Sequence, residues 1–263
     1  LKKKGMNINF ICRSQNGSME RRIKNEGFGV KVLPNFKNTS KKFDKNIKGN
    51  NKLLLGSDWR VDAHHTIRLI LKDKPKLLIV DHYEININWE NLVKSSTGIK
   101  IMVIDGLANR RHNCEILLDY TYSLKGKRRW DNLINSDCKL LFGTKYTLIR
   151  SEFVQEKKNL IKKKGEINRV FISFGGSDKI NLTGEALDAL DSLKRRDIFT
   201  DVVMSKNNPN ISKIRKKLKQ KKNFQLHIQS RNIAKLMNKA DISIGAGGTM
   251  IWERCYLGLP SLI

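Results

Sequence analysis

Near its carboxyl end the chain reads Asp241-Ile-Ser-Ile-Gly-Ala-Gly-Gly-Thr-Met-Ile-Trp-Glu-Arg-Cys-Tyr-Leu-Gly-Leu-Pro260. A short apolar run leads into glycines and then directly into residues with helical spacing, a pattern that predicts a buried strand, a tight turn and a helix. Glycine lets the backbone approach a ligand closely, and the free N–H groups at the start of a helix favour an anion. The segment is therefore either a phosphate-binding loop or a tight strand-to-helix turn that binds nothing.

Similar apolar runs, bounded by polar turns, recur along the chain and predict strands. They cover residues 8–12, 77–80, 101–104, 139–142, 170–174, 201–204, 224–228, 242–244 and 261–263. Segments with apolar residues at helical spacing, such as 63–71 and 182–193, lie between many of them. Continuous apolar strands that alternate with helices are typical of parallel sheets covered on both faces. The sequence therefore predicts an α/β protein.

The length of 263 residues allows one large domain or two ordinary ones, and two are expected. Residues 151–168 are polar and lysine-rich and lie between two series of strands, so we place the boundary there, with domains at 1–152 and 153–263. Leu1 is not a methionine, and the last residues lie inside an apolar run. We therefore expect one βα unit before residue 1 and further units after residue 263.

The composition limits the possible partners. The chain is 39% hydrophobic and 29% charged, with no apolar run near the roughly 20 residues that span a bilayer, so no membrane span is expected. A net charge of +27 permits a basic nucleic-acid-binding module, but the lysines are spread over every predicted helix without interleaved aromatic residues. No specific nucleic-acid binding is expected. Four scattered cysteines and the absence of a signal-peptide pattern favour the cytoplasm.

In open parallel sheets, ligands bind beyond the carboxyl ends of the strands, so the loops that follow the apolar runs are the candidate sites. In the glycine segment, Gly247 and Gly248 permit close approach, Thr249 can donate a hydroxyl, and Met250 opens the helix. In a second glycine loop, Ser177 or Asp178 can equally be an ordinary helix N-cap. The other two loops of interest are 81–90 and 105–112.

Five motifs, in this order and over nearly the whole chain, resemble the UDP-2,4-diacetamido-2,4,6-trideoxy-beta-L-altropyranose hydrolases of pseudaminic acid synthesis and the related spore-coat polysaccharide proteins. They are Asp81-His-Tyr-Glu-Ile85, Ile104-Asp-Gly-Leu-Ala-Asn-Arg110, Gly143-Thr-Lys-Tyr-Thr-Leu-Ile-Arg-Ser-Glu-Phe153, Phe174-Gly-Gly-Ser-Asp178 and Gly245-Ala-Gly-Gly-Thr-Met-Ile-Trp-Glu-Arg-Cys255. The resemblance implies a GT-B-like fold, with two Rossmann-like domains facing across a cleft, and hydrolysis at the anomeric carbon with UDP as the leaving group.

The resemblance also implies roles for single residues. UDP-binding residues are expected in the carboxyl-terminal domain: Gly247, Gly248, Thr249 and Met250 on the diphosphate, Glu253 on the ribose, and the loop of Gly175, Gly176 and Ser177. Catalytic residues are expected in the amino-terminal, sugar-side domain: Asp81, His82 and Tyr83. We expect no cofactor, no metal site and a monomer. A glycosyltransferase that uses a UDP-sugar donor on the same scaffold is the main alternative, and the nucleic-acid-binding module is the second.

Two departures from the family pattern stand out. The family's catalytic histidine lies in a Gly-x-Gly-His loop after the first strand, and no such loop occurs in these 263 residues. We therefore expect that the chain lacks this histidine together with the first βα unit. Gly106 also stands where relatives commonly have a second aspartate after Asp105.

Overall fold

The computed structural model describes residues 2–14, 18–34, 55–163, 165–176 and 178–263. The chain forms two compact units, Leu1–Thr147 and Leu148–Ile263, here called unit 1 and unit 2. The units divide after Thr147, whereas the boundary expected from the sequence lies after residue 152. The reason is packing: Phe153, in the helix Ser151–Glu156, is fully buried in the core of unit 2, and Ile149 packs against the same cluster.

Unit 1 contains a two-stranded and a four-stranded parallel sheet, in the orders β1-β2 and β3-β4-β5-β6. Its strands are β1 (Asn9–Arg13), β2 (Gly29–Leu33), β3 (Leu77–Val80), β4 (Lys100–Ile104), β5 (Ile116–Asp119) and β6 (Lys139–Phe142). Its α-helices are α1 (Glu20–Asn25), α2 (Trp59–Asp73) and α3 (Ile87–Thr97), and short 3₁₀ helices occur at Lys2–Lys4, Gly126–Trp130 and Thr144–Tyr146.

Unit 2 contains a five-stranded parallel sheet in the order β11-β10-β7-β8-β9. Its strands are β7 (Arg169–Ser173), β8 (Phe199–Met204), β9 (Phe224–Ile228), β10 (Ile242–Gly245) and β11 (Ser261–Leu262). Its helices are α4 (Ser151–Glu156), α5 (Leu182–Ser192), α6 (Ile211–Leu218), α7 (Ile233–Lys239) and α8 (Thr249–Leu257), with a 3₁₀ helix at Lys157–Asn159. The chain adds β8 and β9 on one side of β7 and then β10 and β11 on the other, so the strand order reverses between β7 and β10.

The sheet of unit 2 is covered on both faces. Along β7, Val170 and Ile172 belong to one buried apolar cluster and Phe171 belongs to another. The same alternation occurs along β8, where Val202 and Val203 lie in different clusters. Because side chains alternate across a strand, each strand contributes to two cores, which is why these strands read as continuous apolar runs.

The predicted α/β class is confirmed, and each of the nine apolar runs coincides with a strand. The helical segments 63–71 and 182–193 correspond to α2 and α5. Two strands, β2 and β5, were not predicted. Among the described residues, no helix is both long and apolar enough to cross a membrane.

The unpredicted strand β5 gives a test of the fold. Leu117 in β5 is completely buried, whereas Leu77 in β3 is 40% exposed. We expect Leu117→Ala to lower the free energy of unfolding by about 2–5 kcal/mol, because it removes buried methyl groups and leaves a cavity. Leu77→Ala is the matched control and should cost at most about 1 kcal/mol. Urea unfolding of the two variants measures the difference, and equal losses would contradict a buried β5.

Candidate functional site

Helix α8 begins where the strand order of unit 2 reverses, and its amino end is open. Gly248 precedes the helix with a φ of 100°, which glycine adopts without strain, and no side chain of the described residues caps the helix. Gly247, Gly248 and Thr249 are exposed. Among the described residues, none accepts a hydrogen bond from the backbone N–H groups of Gly248, Thr249 or Met250. The free donors and the helix dipole make this point suitable for an anion.

The second glycine loop, after β7, differs because its helix start is already occupied. The buried carboxylate of Asp178 accepts hydrogen bonds from the backbone N–H groups of Leu182, at 2.8 Å, and Thr183, at 3.0 Å. Asp178 therefore caps the start of α5 with its side chain from outside the helix, whereas the residue at the N-cap position is Asn181. Gly175 and Gly176 are exposed beside it, and Ser177 lies outside the described residues. An anion at the start of α5 would meet a carboxylate, whereas no carboxylate among the described residues bonds to the start of α8.

Glu253, one turn into α8, is buried and held by a partner that the sequence did not suggest. Arg150 Nε donates to Oε1 at 2.5 Å, and Arg150 Nη2 donates to Oε2 at 2.8 Å. The remaining nitrogen of Arg150, Nη1, lies 2.7 Å from Glu152 Oε1. The Glu253 side chain is only 6% exposed, so its carboxylate is fixed in orientation and offers a ligand little free surface.

Arg254, the next residue, was missed by sequence reasoning. Its guanidinium is 1% exposed and donates to the carbonyl of Ser173, at 3.1 Å, and to the carbonyl of Ala246, at 3.2 Å. Ser173 ends β7 and Ala246 follows β10, so one side chain joins the two strand ends that flank the point of reversal. Helical spacing alone does not reveal this contact, because it depends on which strand ends are neighbours.

In unit 1, the predicted residues Asp81, His82 and Tyr83 follow β3 at the carboxyl edge of its sheet. Tyr83 is 60% exposed. Partial desolvation raises the pKa of Asp81, the nearby Asp105 carboxylate adds to the shift, and His82 opposes it. His82 Nδ1 accepts a hydrogen bond from the backbone N–H of Glu84 at 3.2 Å, so in this arrangement the imidazole proton is on Nε2. These three residues are available to a ligand and chemically suited to proton transfer.

A buried charged cluster fixes the position of this loop. Arg110 donates to the carbonyls of Ile85, at 2.7 Å, and His82, at 3.1 Å, and also pairs with Asp105 at 2.9 Å. His112 in turn lies between two buried carboxylates, with Nδ1 2.6 Å from Glu90 Oε1 and Nε2 3.1 Å from Asp105 Oδ2. Each charged group has a partner of opposite sign, which is the condition under which buried charges are tolerated.

Two further features follow from the strand β5. Tyr120 comes directly after it, and the pKa of its hydroxyl is raised mainly by burial and then by the charges of Asp81 and Tyr83, which places it near the predicted catalytic loop. Gly106 is explained by Thr121, because a Cβ at position 106 would lie 2.5 Å from Thr121 Cγ2. The second aspartate that the family pattern led us to expect at this position does not fit this structure without movement of Thr121.

The predicted site residues thus fall into two groups, one in each unit. Asp81, His82 and Tyr83 are adjacent in unit 1, and Gly247 to Met250 surround the open helix start in unit 2, with Gly175 and Gly176 on the loop after the neighbouring strand β7. Within the described residues, no group of three or more His, Cys, Asp and Glu side chains could hold a metal ion.

The cluster around His112 predicts a pH dependence of stability. Burial opposes protonation of His112. Its hydrogen bonds to Asp105 and Glu90 outweigh this effect and raise the pKa of His112, although the positive charge of Arg110 acts to lower it. The stabilisation from its protonated form is therefore complete below the unfolded pKa of about 6.5 and is lost as the pH rises through the folded pKa. We expect the difference in unfolding free energy between wild type and His112→Gln to shrink from about pH 6 to about pH 9.

Urea unfolding across that pH range measures this difference. The exposed His64 provides the matched control, and His64→Gln should retain the wild-type pH dependence. A gap between wild type and His112→Gln that stays constant with pH would contradict a protonated, doubly bonded imidazole.

Comparison with solved structures shows the fold. MurG of Acinetobacter baumannii matches with a TM-score of 0.57 at 12% identity, over 99% of this chain and 70% of that protein. The UDP-GlcNAc 2-epimerase of Neisseria meningitidis, solved with UDP-GlcNAc, matches with a TM-score of 0.53 at 16% identity. The match covers 98% of this chain and 82% of the epimerase. Such neighbours are GT-B proteins, and together with the parallel sheets they confirm the predicted GT-B-like fold with two Rossmann-like domains. At this identity they carry no argument about activity.

Sequence comparison identifies the family, although no family model matches the chain. The Bacillus subtilis spore coat polysaccharide biosynthesis protein SpsG is 23% identical over 75% of this chain and 58% of its own length. The UDP-2,4-diacetamido-2,4,6-trideoxy-beta-L-altropyranose hydrolase of Campylobacter jejuni is 36% identical over 194 residues, which are 74% of this chain and 68% of that protein. The resemblance read from the five motifs is thereby confirmed, and the chain belongs to the family of this Campylobacter hydrolase.

Proposed function

We propose that the protein hydrolyses a UDP-activated 2,4-diacetamido-2,4,6-trideoxyhexose at the anomeric carbon and releases UDP, as a step in nonulosonic acid synthesis. The observation that carries this proposal is the uncapped, glycine-rich start of α8 at the point where the strand order reverses. An open helix start at a reversal point suits a nucleotide diphosphate. Membership of the hydrolase family supports the choice of substrate and reaction.

Unit 2 would bind the UDP portion. Backbone N–H groups of Gly248, Thr249 and Met250 donate to phosphate oxygens, and Gly247 lets the phosphates come close. Gly175 and Gly176, on the neighbouring loop, border the same ligand. Glu253 would accept a hydrogen bond from a ribose hydroxyl through the small part of its carboxylate that stays exposed, while Arg150 fixes the orientation of that carboxylate. Stabilisation of the charge that develops on the departing diphosphate is the catalytic contribution of this site.

Unit 1 would act on the sugar. The raised pKa of Asp81 makes its carboxylate a better base for a water molecule than an ordinary aspartate. The exposed ring of Tyr83 contacts the sugar, and His82 donates from Nε2 to a sugar or water oxygen. The attacking water loses its proton to a base, its oxygen bonds to the anomeric carbon, and the bond from that carbon to the departing UDP oxygen breaks. The family's histidine in a Gly-x-Gly-His loop would be a further catalytic group wherever the encoded protein includes it.

The remaining properties complete the proposal. We propose a cytoplasmic, monomeric enzyme that needs no metal ion and has no specific affinity for nucleic acid. Two partly exposed lysines, Lys217 in α6 and Lys221 after it, support the last point, because they form ion pairs with Asp188 and Asp191 on the surface of unit 2. Charge of this kind is typical of a solvated face.

The anion site can be tested with two glycines at opposite ends of α8. Gly248 at the start and Gly258 at the end both have a positive φ, 100° and 67°, with open space where a Cβ would lie. Alanine is strained at both, so both variants should lose stability, but only Gly248→Ala moves the free N–H groups. We expect Gly248→Ala to weaken UDP binding at least about tenfold in isothermal titration, about 1.4 kcal/mol, and Gly258→Ala to leave it unchanged.

Equal affinities of the wild type and Gly248→Ala for UDP would place the nucleotide elsewhere. RNA titrated at two salt concentrations provides the contrast with a nucleic-acid-binding module, whose affinity would fall steeply with salt. Tight RNA binding in physiological salt without UDP binding would contradict the proposal.

The reaction itself is tested by UDP release from the UDP-sugar without any acceptor, using the protein as encoded in its source. We expect release in the presence of EDTA, and a fall in kcat of about 10²-fold or more in Asp81→Asn if its carboxylate is the base. A strict requirement for a sugar or lipid-linked acceptor would instead identify a glycosyltransferase on the same scaffold.

A further inference from the structure

Arg254 is a buried cation to which no described residue supplies a counter-charge. Its guanidinium is 1% exposed, and among the described residues no carboxylate forms an ion pair with it. Its hydrogen bonds go to two carbonyl oxygens, and the thioether sulfur of Met250 lies 3.8 Å from Nη2. The remaining nitrogen, Nε, is buried with no partner among the described residues. A charge in this state is costly for the protein alone, because water is excluded and no anion replaces it.

Glu253, the adjacent residue in the chain, does not balance this charge. Both of its carboxylate oxygens accept hydrogen bonds from Arg150, which itself also pairs with Glu152. Burial lowers the pKa of Arg254, and the nearby charges of Cys255 and Glu253 offset this only in part. An arginine nevertheless remains charged in proteins, so a positive charge persists behind the glycine loop.

The position of the guanidinium joins this charge to the open helix start. One nitrogen bonds to Ala246 in the loop, and another bonds to Ser173 at the end of the neighbouring strand. The fit is so close that a Cβ on Gly245 would lie 2.0 Å from the Ser173 oxygen and 2.3 Å from Arg254 Nη2. Glycine is thus required at 245 first by the Ser173 carbonyl and then by the guanidinium, whereas Gly247 and Gly248 face open space or a single methyl group.

We propose that Arg254 is a positioning residue for the diphosphate of the ligand: it holds the loop between β10 and α8 in its binding conformation, and the bound diphosphate balances its buried charge. This inference rests on the proposed function, since it specifies how the same site recognises a nucleoside diphosphate. The phosphate groups receive hydrogen bonds from the helix start, while Arg254 acts from behind the loop without touching the sugar.

The test compares affinities for UDP and for uridine, whose ratio isolates the contribution of the diphosphate. We expect Arg254→Gln to lower this ratio at least tenfold, with uridine affinity nearly unchanged. Arg195→Gln is the matched control, because Arg195 is exposed, pairs only with Asp197 among the described residues, and carries the same charge. That variant should keep the wild-type ratio.

Arg254→Lys tests the charge directly, and it replaces Arg254→Gln in the experiment if that variant does not fold. An amine buried at this position should lose its proton at lower pH than a free lysine. We expect its UDP-to-uridine ratio to fall between about pH 7 and about pH 8.5, while the wild-type ratio stays constant because arginine remains charged. A role limited to holding two carbonyls would not produce this difference between the variant and the wild type.

The outcomes separate the two proposals. If the wild type shows no preference for UDP over uridine, the proposed nucleotide site itself fails. If the wild type prefers UDP but folded Arg254→Gln retains the ratio within twofold, the positioning role of Arg254 is wrong. A ratio in Arg254→Lys that matches the wild type at both pH values would equally overturn it.

Discussion

The parallel pairing of β10 with β7 determines where the groups of the candidate anion site lie. Gly245 is in register with Ser173, so the loops that follow the two strands leave the sheet side by side. The strand order reverses at this pair, and the open amino end of α8 emerges there without a capping side chain. A shift of one residue in the register would move the Ser173 carbonyl away from Arg254 and turn alternate side chains to the opposite face.

The two units differ in how their buried charged groups are paired, and this difference indicates where a ligand is needed. In unit 1, His112, Glu90, Asp105 and Arg110 satisfy one another, so the cluster is a complete structural support for the loop after β3. In unit 2, Arg254 has carbonyl partners but no anionic partner within the part of the chain that the structure describes. A complete network stabilises the folded protein by itself, whereas an incomplete one is most stable when a ligand completes it.

Sequence reasoning predicted the α/β class, nine of the strands and the open helix start, because these depend on local apolar runs and on glycine. It missed β2, which begins with glycine and carries Lys31, and β5, a short run between charged residues. Without β5, Tyr120 could not be seen as a strand-end residue. Arg254 was missed for another reason: its partners are separated from it by up to 81 positions, and only the paired strands bring them together.

The close packing of Gly245 against the Ser173 carbonyl has an evolutionary consequence. A Cβ at position 245 would lie 2.0 Å from this backbone oxygen and 2.3 Å from Arg254 Nη2, so replacing the arginine removes only the second of the two clashes. Glycine should therefore persist at position 245 among homologues, even in relatives whose residue at position 254 is smaller and uncharged.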